Sequence, residues 1–134
     1  MNKQIIETTK APAAIGPYSQ AIKSGSLIFV SGQIPVDPET GNLVIGGIES
    51  ETLRVMKNIS IILVAAGSSL SRIVKTSIYL KNMDDFAKVN EIYGSFFKDD
   101  FPARETVEVS RLPKDVDIEI SVIASVWRLP AVMW

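Results

Sequence analysis

The chain has 134 residues, of which 46% are apolar, and a formal net charge of −1. That length builds one domain with a real core, apolar enough for self-association to help cover its surface, while the near-neutral charge argues against a nucleic-acid or acidic-lipid surface. The sequence contains no cysteine and no histidine, which excludes disulfides, thiolate chemistry, the common zinc ligands and Ser–His or Cys–His nucleophiles. The N-terminal run MNKQIIETTKAP lacks an apolar signal core, and no run approaches the ~18 apolar residues of a membrane span, so a cytosolic address is expected. A short strand is expected over 3–8, and Ile15-Gly16-Pro17-Tyr18 forms a turn because Gly and Pro punctuate the backbone. Residues 19–24 and 27–31 form a hairpin about Ser24-Gly25-Ser26, and 32–47 is a long Gly- and Pro-rich connection. Apolar residues at helical spacing (Leu53, Met56, Ile59, Leu63, Ala66) predict a helix over 51–66, with Ser50 as N-cap and Gly67 as its stop. Residues 73–80 read as a strand. A second helix is expected over 84–97, with Asn82 near its start and Phe86, Val89, Tyr93, Phe96 and Phe97 on its stripe.

The last third, FPARETVEVSRLPKDVDIEI, alternates. Val107 and Val109 point one way, with Arg104, Thr106 and Glu108 on the other side. In 116–126 the even positions are all apolar, and Asp117, Glu119 and Ser121 lie opposite. A turn at RLPKD around Pro113 predicts an antiparallel hairpin with coincident apolar faces, because a one-residue slip would bury the charges. That register sets Thr106 opposite Glu119, with Arg104 one diagonal away. With no internal repeat or linker, residues 1–134 form one α+β two-layer domain, a mixed sheet with both helices on one face. The face carrying Arg104, Thr106 and Glu119 then has no layer of its own, and water or a neighbouring subunit covers it.

Without histidine or cysteine, proton transfer falls to a carboxylate, a tyrosine, a lysine, a hydroxyl or held water. Arg104 offers a planar fork that grips a carboxylate through two parallel hydrogen bonds; its plain alternative is an ion pair with Glu119 or Glu108. Glu119, shielded in a cleft, would have a raised pKa and hold or protonate water; otherwise it is a solvent-facing strand residue. Tyr18 either donates from its phenol to a ligand or packs beside Pro17. Ser31 and Gly32 end a strand where the backbone can approach a ligand, or serve only as turn residues. Phe86 and Asn90 lie one helical turn apart, Phe86 on the core stripe.

These blocks carry a resemblance. APAAIGPYSQAI, FVSGQIPVDPETG, IVKTSIYLKNMDDFAKVNEIY and the FPAR…VEV…RLPKDVDIEI ending are similar to the signatures of the RidA/YjgF/UK114 family, over nearly the whole chain. The resemblance implies the chorismate-mutase-like fold, a homotrimer with sites between subunits, no cofactor and no metal. It further implies hydrolysis of reactive 2-enamine and 2-imine acids, such as 2-aminoacrylate and 2-aminocrotonate, to 2-oxo acids and ammonia. By the same resemblance Arg104 binds the substrate carboxylate and Glu119 positions the attacking water, while Tyr18, Ser31, Gly32, Phe86, Asn90 and Thr106 complete the pocket. Thr106 stands where many members have cysteine, and the apolar tail 128–134 is longer than is usual in the family. The alternative from a different class is a regulatory trimer that binds 2-oxo acids without turnover. A ribonuclease or translation-inhibitor role is ascribed to some relatives, and the charge weighs against it here.

Overall fold

A computed structural model describes residues 2–126, so the tail 128–134 lies outside the described residues. Six strands form one mixed sheet: β1 (Lys3–Ile6), β2 (Ala21–Ser24), β3 (Leu27–Gln33), β4 (Ile73–Leu80), β5 (Ala103–Glu108) and β6 (Ile118–Ser125). Their order across the sheet is β1-β2-β3-β6-β4-β5. Helix α1 (Ile48–Ala65) and helix α2 (Phe86–Gly94) pack on one face, as expected for a two-layer α+β domain. The β2–β3 hairpin forms as read, with Gly25 at φ +60 in its two-residue loop.

The core lies between that face and α1. Val55, Met56, Ile59, Ile62 and Leu63 of α1 are fully buried with Ile28, Ile118, Ile120 and Ala124 of the sheet. Each of these side chains larger than alanine contributes about 1.5–3 kcal/mol of burial. Helix α1 begins a turn before its predicted start. Gly47, not Ser50, is the N-cap, because Ile48 is buried in the same core and draws the first turn into the helix. Gly67 stops it at φ +81, where glycine carries no Cβ penalty. Helix α2 is shorter than expected. A 3-10 turn over Met83–Asp85, capped by the Asn82 side chain on the Asp84 N–H, precedes it. After Gly94 the chain tightens into i→i+3 bonds, Phe96 N–H to Tyr93 and Phe97 N–H to Gly94.

The larger correction concerns the last two strands. β5 and β6 are not a hairpin. β4 lies between them, parallel to β5 and antiparallel to β6. The strand–helix–strand passage β4–α2–β5 favours a parallel neighbour, and β5, with its charged sequence, takes the sheet edge. β6, whose even positions are all buried, takes the centre between β3 and β4. Across β4, Glu119 aligns with Tyr79 and Val107, whereas Arg104 aligns with Thr76 and Val122. Thr106 aligns with Ile78 and Ile120. Thr106 is therefore not opposite Glu119. Arg104 and Thr106 point to the helix side, and Glu119 points to the bare side.

The bare side is partly apolar. Ile5, Ile22, Phe29 and Ile123 form a row across four strands. Phe29 and Val107 are each 42% exposed there. Among the described residues, no helix is long and apolar enough to cross a membrane.

Candidate functional site

The predicted residues fall into two clusters on opposite sides of the sheet. The first surrounds Arg104. β5 leaves this residue at the edge of the covered face, where α2 runs past it. Phe86, Asn90 and Tyr93 stand at i, i+4 and i+7 on α2 and present one face to the strand. The guanidinium donates from Nη1 to Asn90 Oδ1 at 2.5 Å. Its Cζ sits 5.6 Å from the Phe86 ring centroid and 5.2 Å from that of Tyr93, within cation–π range. Neither expected ion pair forms. Glu119 is on the other face, and Glu108 accepts instead from the Met83 N–H at 2.9 Å. The two ion pairs among the described residues, Lys75–Glu105 and Arg111–Asp115, do not involve Arg104. Arg104 thus carries its charge among neutral groups, beside an open cavity of about 690 Å³ that it lines with Asn90, Tyr93 and Phe101. Thr106, two residues along the same face, has a buried hydroxyl with no hydrogen-bond partner.

The second cluster surrounds Glu119. It lines a cavity of about 770 Å³ with Tyr18, Ser31, Gly32, Ile34 and Pro113. β3 bulges between Val30 and Gln33, and this irregularity brings Gly32 against the Glu119 carboxylate. A Cβ on Gly32 would overlap the carboxylate oxygen and sit 2.8 Å from its Cδ. Glycine here is required for close approach rather than for a turn. Burial pushes the Glu119 carboxyl above the ordinary glutamate value. Ser31 is already engaged, since its hydroxyl donates to the Ser19 carbonyl at 2.5 Å and its N–H to Gln20 O. Tyr18 is half exposed and opens onto the cavity rather than packing as a turn residue.

Two residues escaped the sequence reading. Gln20 is buried, accepts from Thr8 N–H at 2.7 Å, and donates to the carbonyls of Thr8 (3.0 Å) and Pro12 (2.8 Å). It pins the segment leading to Tyr18 onto the sheet. Its amide is chemically ordinary and its partners lie eight to twelve residues away, so no local pattern marks it. Tyr93 is buried, as its place on the apolar stripe predicts, but one of its ring faces lies over Arg104. The i, i+4, i+7 spacing of Phe86, Asn90 and Tyr93 is the signal that could have found it. Among the described residues no group of three or more acidic side chains is placed to hold a metal.

Residues 8–126 match the family model described as Endoribonuclease L-PSP. A solved structure from Yersinia pestis, a protein of unknown function of the conserved Rid family, superposes with a TM-score of 0.91 at 52% identity, covering 93% of this chain and all of that one. This chain belongs to the RidA/YjgF/UK114 family. Within that family it is 59% identical over 124 residues to a RutC family protein of Pyrococcus abyssi, covering 92% of this chain and 98% of the relative. It is 48% identical over 122 residues to the human 2-iminobutanoate/2-iminopropanoate deaminase, covering 91% of this chain and 89% of the human protein. The mixed six-stranded sheet with two helices on one face is thus the fold of a Rid-family chain.

Proposed function

We propose that this chain is a hydrolytic deaminase of small 2-imino and 2-enamino acids, working as a homotrimer in which Arg104 of one copy and Glu119 of the next share a cavity. The observation that carries the reading is Arg104, a cation oriented by a carbonyl oxygen and two ring faces and left without an acidic partner among the described residues. Such a group retains its charge and one edge of its fork for a ligand carboxylate. Glu119 supports the second half of the reaction, a carboxylate in a concave, mostly apolar site with its basicity raised by burial. Because the two residues lie on opposite sides of one sheet, a single copy cannot turn both on one small molecule. The apolar row on the bare side supports a second copy bringing them together, and the human relative's name supports the reaction.

In this reading Arg104 holds the substrate carboxylate and fixes the imine carbon. Glu119 accepts a proton from a water as its oxygen adds to that carbon. Addition to the protonated imine gives a neutral carbinolamine; Glu119 returns its proton to the nitrogen, ammonia leaves, and the hydroxyl proton passes to the Glu119 carboxylate as the carbonyl of the 2-oxo acid forms. Imines hydrolyse in water unaided, so orientation and charge placement suffice for acceleration. The Thr106 hydroxyl lies on the Arg104 side and would meet the same ligand. RNA cleavage, the activity in the family model's description, has weaker support in a chain of net charge −1 without histidine.

The test generates the imine in situ with a serine or threonine dehydratase and follows 2-oxo acid formation. The protein should accelerate release over background, and Arg104→Ala should lose about 100-fold of that acceleration. Arg104→Ala and Glu119→Gln subunits, each inactive alone, should recover up to roughly a quarter of the activity after mixed refolding. That is the share of interfaces receiving both intact residues under random mixing. No recovery from well-folded mixed trimers would remove the shared cavity. No acceleration by the unaltered trimer, with retained 2-oxo acid binding, would leave a binding protein instead.

A further inference from the structure

We infer that Tyr93 is a positioning residue for the anion-binding arginine, aligning Arg104 through its ring face rather than through its hydroxyl. This rests in part on the carboxylate-binding reading of Arg104, and it deepens that reading by saying how the fork is held before ligand arrives. An arginine at a sheet edge has four rotatable bonds and loses substantial freedom when fixed. Proteins often supply that order with a carboxylate, but a carboxylate would occupy the fork and neutralise the charge wanted by the ligand. Here the order comes from groups with no formal charge. Asn90 takes one Nη1 hydrogen, while Tyr93 at 5.2 Å and Phe86 at 5.6 Å present ring faces to the guanidinium carbon. The negative quadrupole of a ring face attracts the cation without removing its charge.

Of the two rings, Tyr93 is the better anchored. It is only 4% exposed. Its hydroxyl donates to Thr76 Oγ1 at 2.9 Å, and Thr76 is the residue of β4 that aligns with Arg104 itself. Phe97 packs against the ring with centroids 5.0 Å apart, tilted by 49°. The ring is thus fixed from its tip by the adjacent strand and from its side by the chain after α2. It transmits the position of the core to a guanidinium at the rim of the cavity. The hydroxyl itself is spent on Thr76, buried away from the ligand side, and has no part in the chemistry.

The experiment compares Tyr93→Leu, which removes the ring, with Tyr93→Phe, which keeps it. Titrating 2-oxobutanoate into the intact oligomer should show roughly 3- to 30-fold weaker binding for Tyr93→Leu, the range expected for a partly desolvated cation–π contact. Tyr93→Phe should restore most of the affinity. In turnover, KM should rise in Tyr93→Leu while kcat changes less than about 2-fold, a split that general loosening of the core would not give. A second readout needs no ligand. The order parameter of the Arg104 Nε–H vector, measured by NMR on the free protein, should fall in Tyr93→Leu and recover in Tyr93→Phe. Unchanged order and unchanged affinity in a folded Tyr93→Leu protein would overturn the inference. If Tyr93→Leu does not fold, Phe86→Leu removes the other ring, and an unchanged Arg104 order parameter there would overturn the ring-face account. If the unaltered protein binds no 2-oxo acid and turns over no imine, the proposed function fails while the NMR measurement still decides the role of Tyr93.

Discussion

The Arg104 and Glu119 cavities solve opposite electrostatic problems. At Arg104 the difficulty is to order a long, flexible cation without neutralising it, and the fold answers with side chains from α2. At Glu119 the difficulty is to keep a short carboxylate partly buried with room beside it. There the answer is backbone: a bulge in β3 and a residue without a side chain. A cation can be steered by π faces, which have no repulsive counterpart for it. A carboxylate near apolar walls is steered mainly by what is kept out of its way. The Arg104 cavity should therefore degrade gradually as its supports are removed one at a time, and the Glu119 cavity abruptly.

The largest expected effect is at the carboxylate. Glu119→Gln keeps the shape and removes the base, so turnover should fall by roughly 100-fold or more, the usual contribution of a positioned general base. The same group sets the pH dependence. Burial raises its pKa above the ordinary 4.5, and the base works when ionised. Activity should thus decline as pH falls through a value above 4.5, and that limb should vanish from the residual activity of Glu119→Gln. A limb unchanged in the variant would transfer the titration to another group.

Gly32→Ala comes next and tests the abruptness directly. One methyl would push the Glu119 carboxylate aside. Since the displaced atoms are the end of a flexible side chain, unfolding free energy should change by less than about 1 kcal/mol. Turnover should fall about 100-fold, the scale of a misplaced catalytic group. A comparable loss of stability and activity would make Gly32 a folding residue only.

The smallest effect separates burial from catalysis. Glu51 on α1 is buried in neither cavity's lining, and its pKa is raised to about 7 by burial first and then by neighbouring Asp117, with Asp85 adding. A carboxyl whose folded pKa exceeds its unfolded value loses stability as pH rises from the unfolded value towards 7. Glu51→Gln should nearly match the unaltered protein at pH 4, below the unfolded value of 4.5, and be more stable at pH 8, by roughly 1–2 kcal/mol after allowance for solvent screening. Thermal melts at the two pH values decide it. Turnover at pH 8 should be unaffected, because Glu51 engages Asp117, two residues before Glu119, and lines neither cavity. A matching loss of turnover would show that the start of β6 transmits strain to the carboxylate.

Most of the elements, and the candidate site residues one at a time, were legible in the residues alone. Period 3.6 in α1 and period 2 in β6 are consequences of burying one face, so they are written in the residues that do it. β4 was legible to the residue because its strand-forming run ends at both sides in polar turns. The motif blocks marked Arg104, Glu119, Gly32 and Asn90 one by one. Which of these meet depends on how the strands pair across the sheet. The parity of a strand is local, but its neighbours are not. RLPKD reads as a hairpin turn, and nothing in ten residues of alternation reveals that β4, which precedes both strands in the chain, lies between them. With that insertion Arg104 went under α2, Glu119 went to the bare face, and Tyr93, still a core aromatic, became the partner of a cation as well. Which side of the sheet a side chain serves depends on long-range pairing that the whole core settles together, whereas its chemistry is fixed by the residue alone.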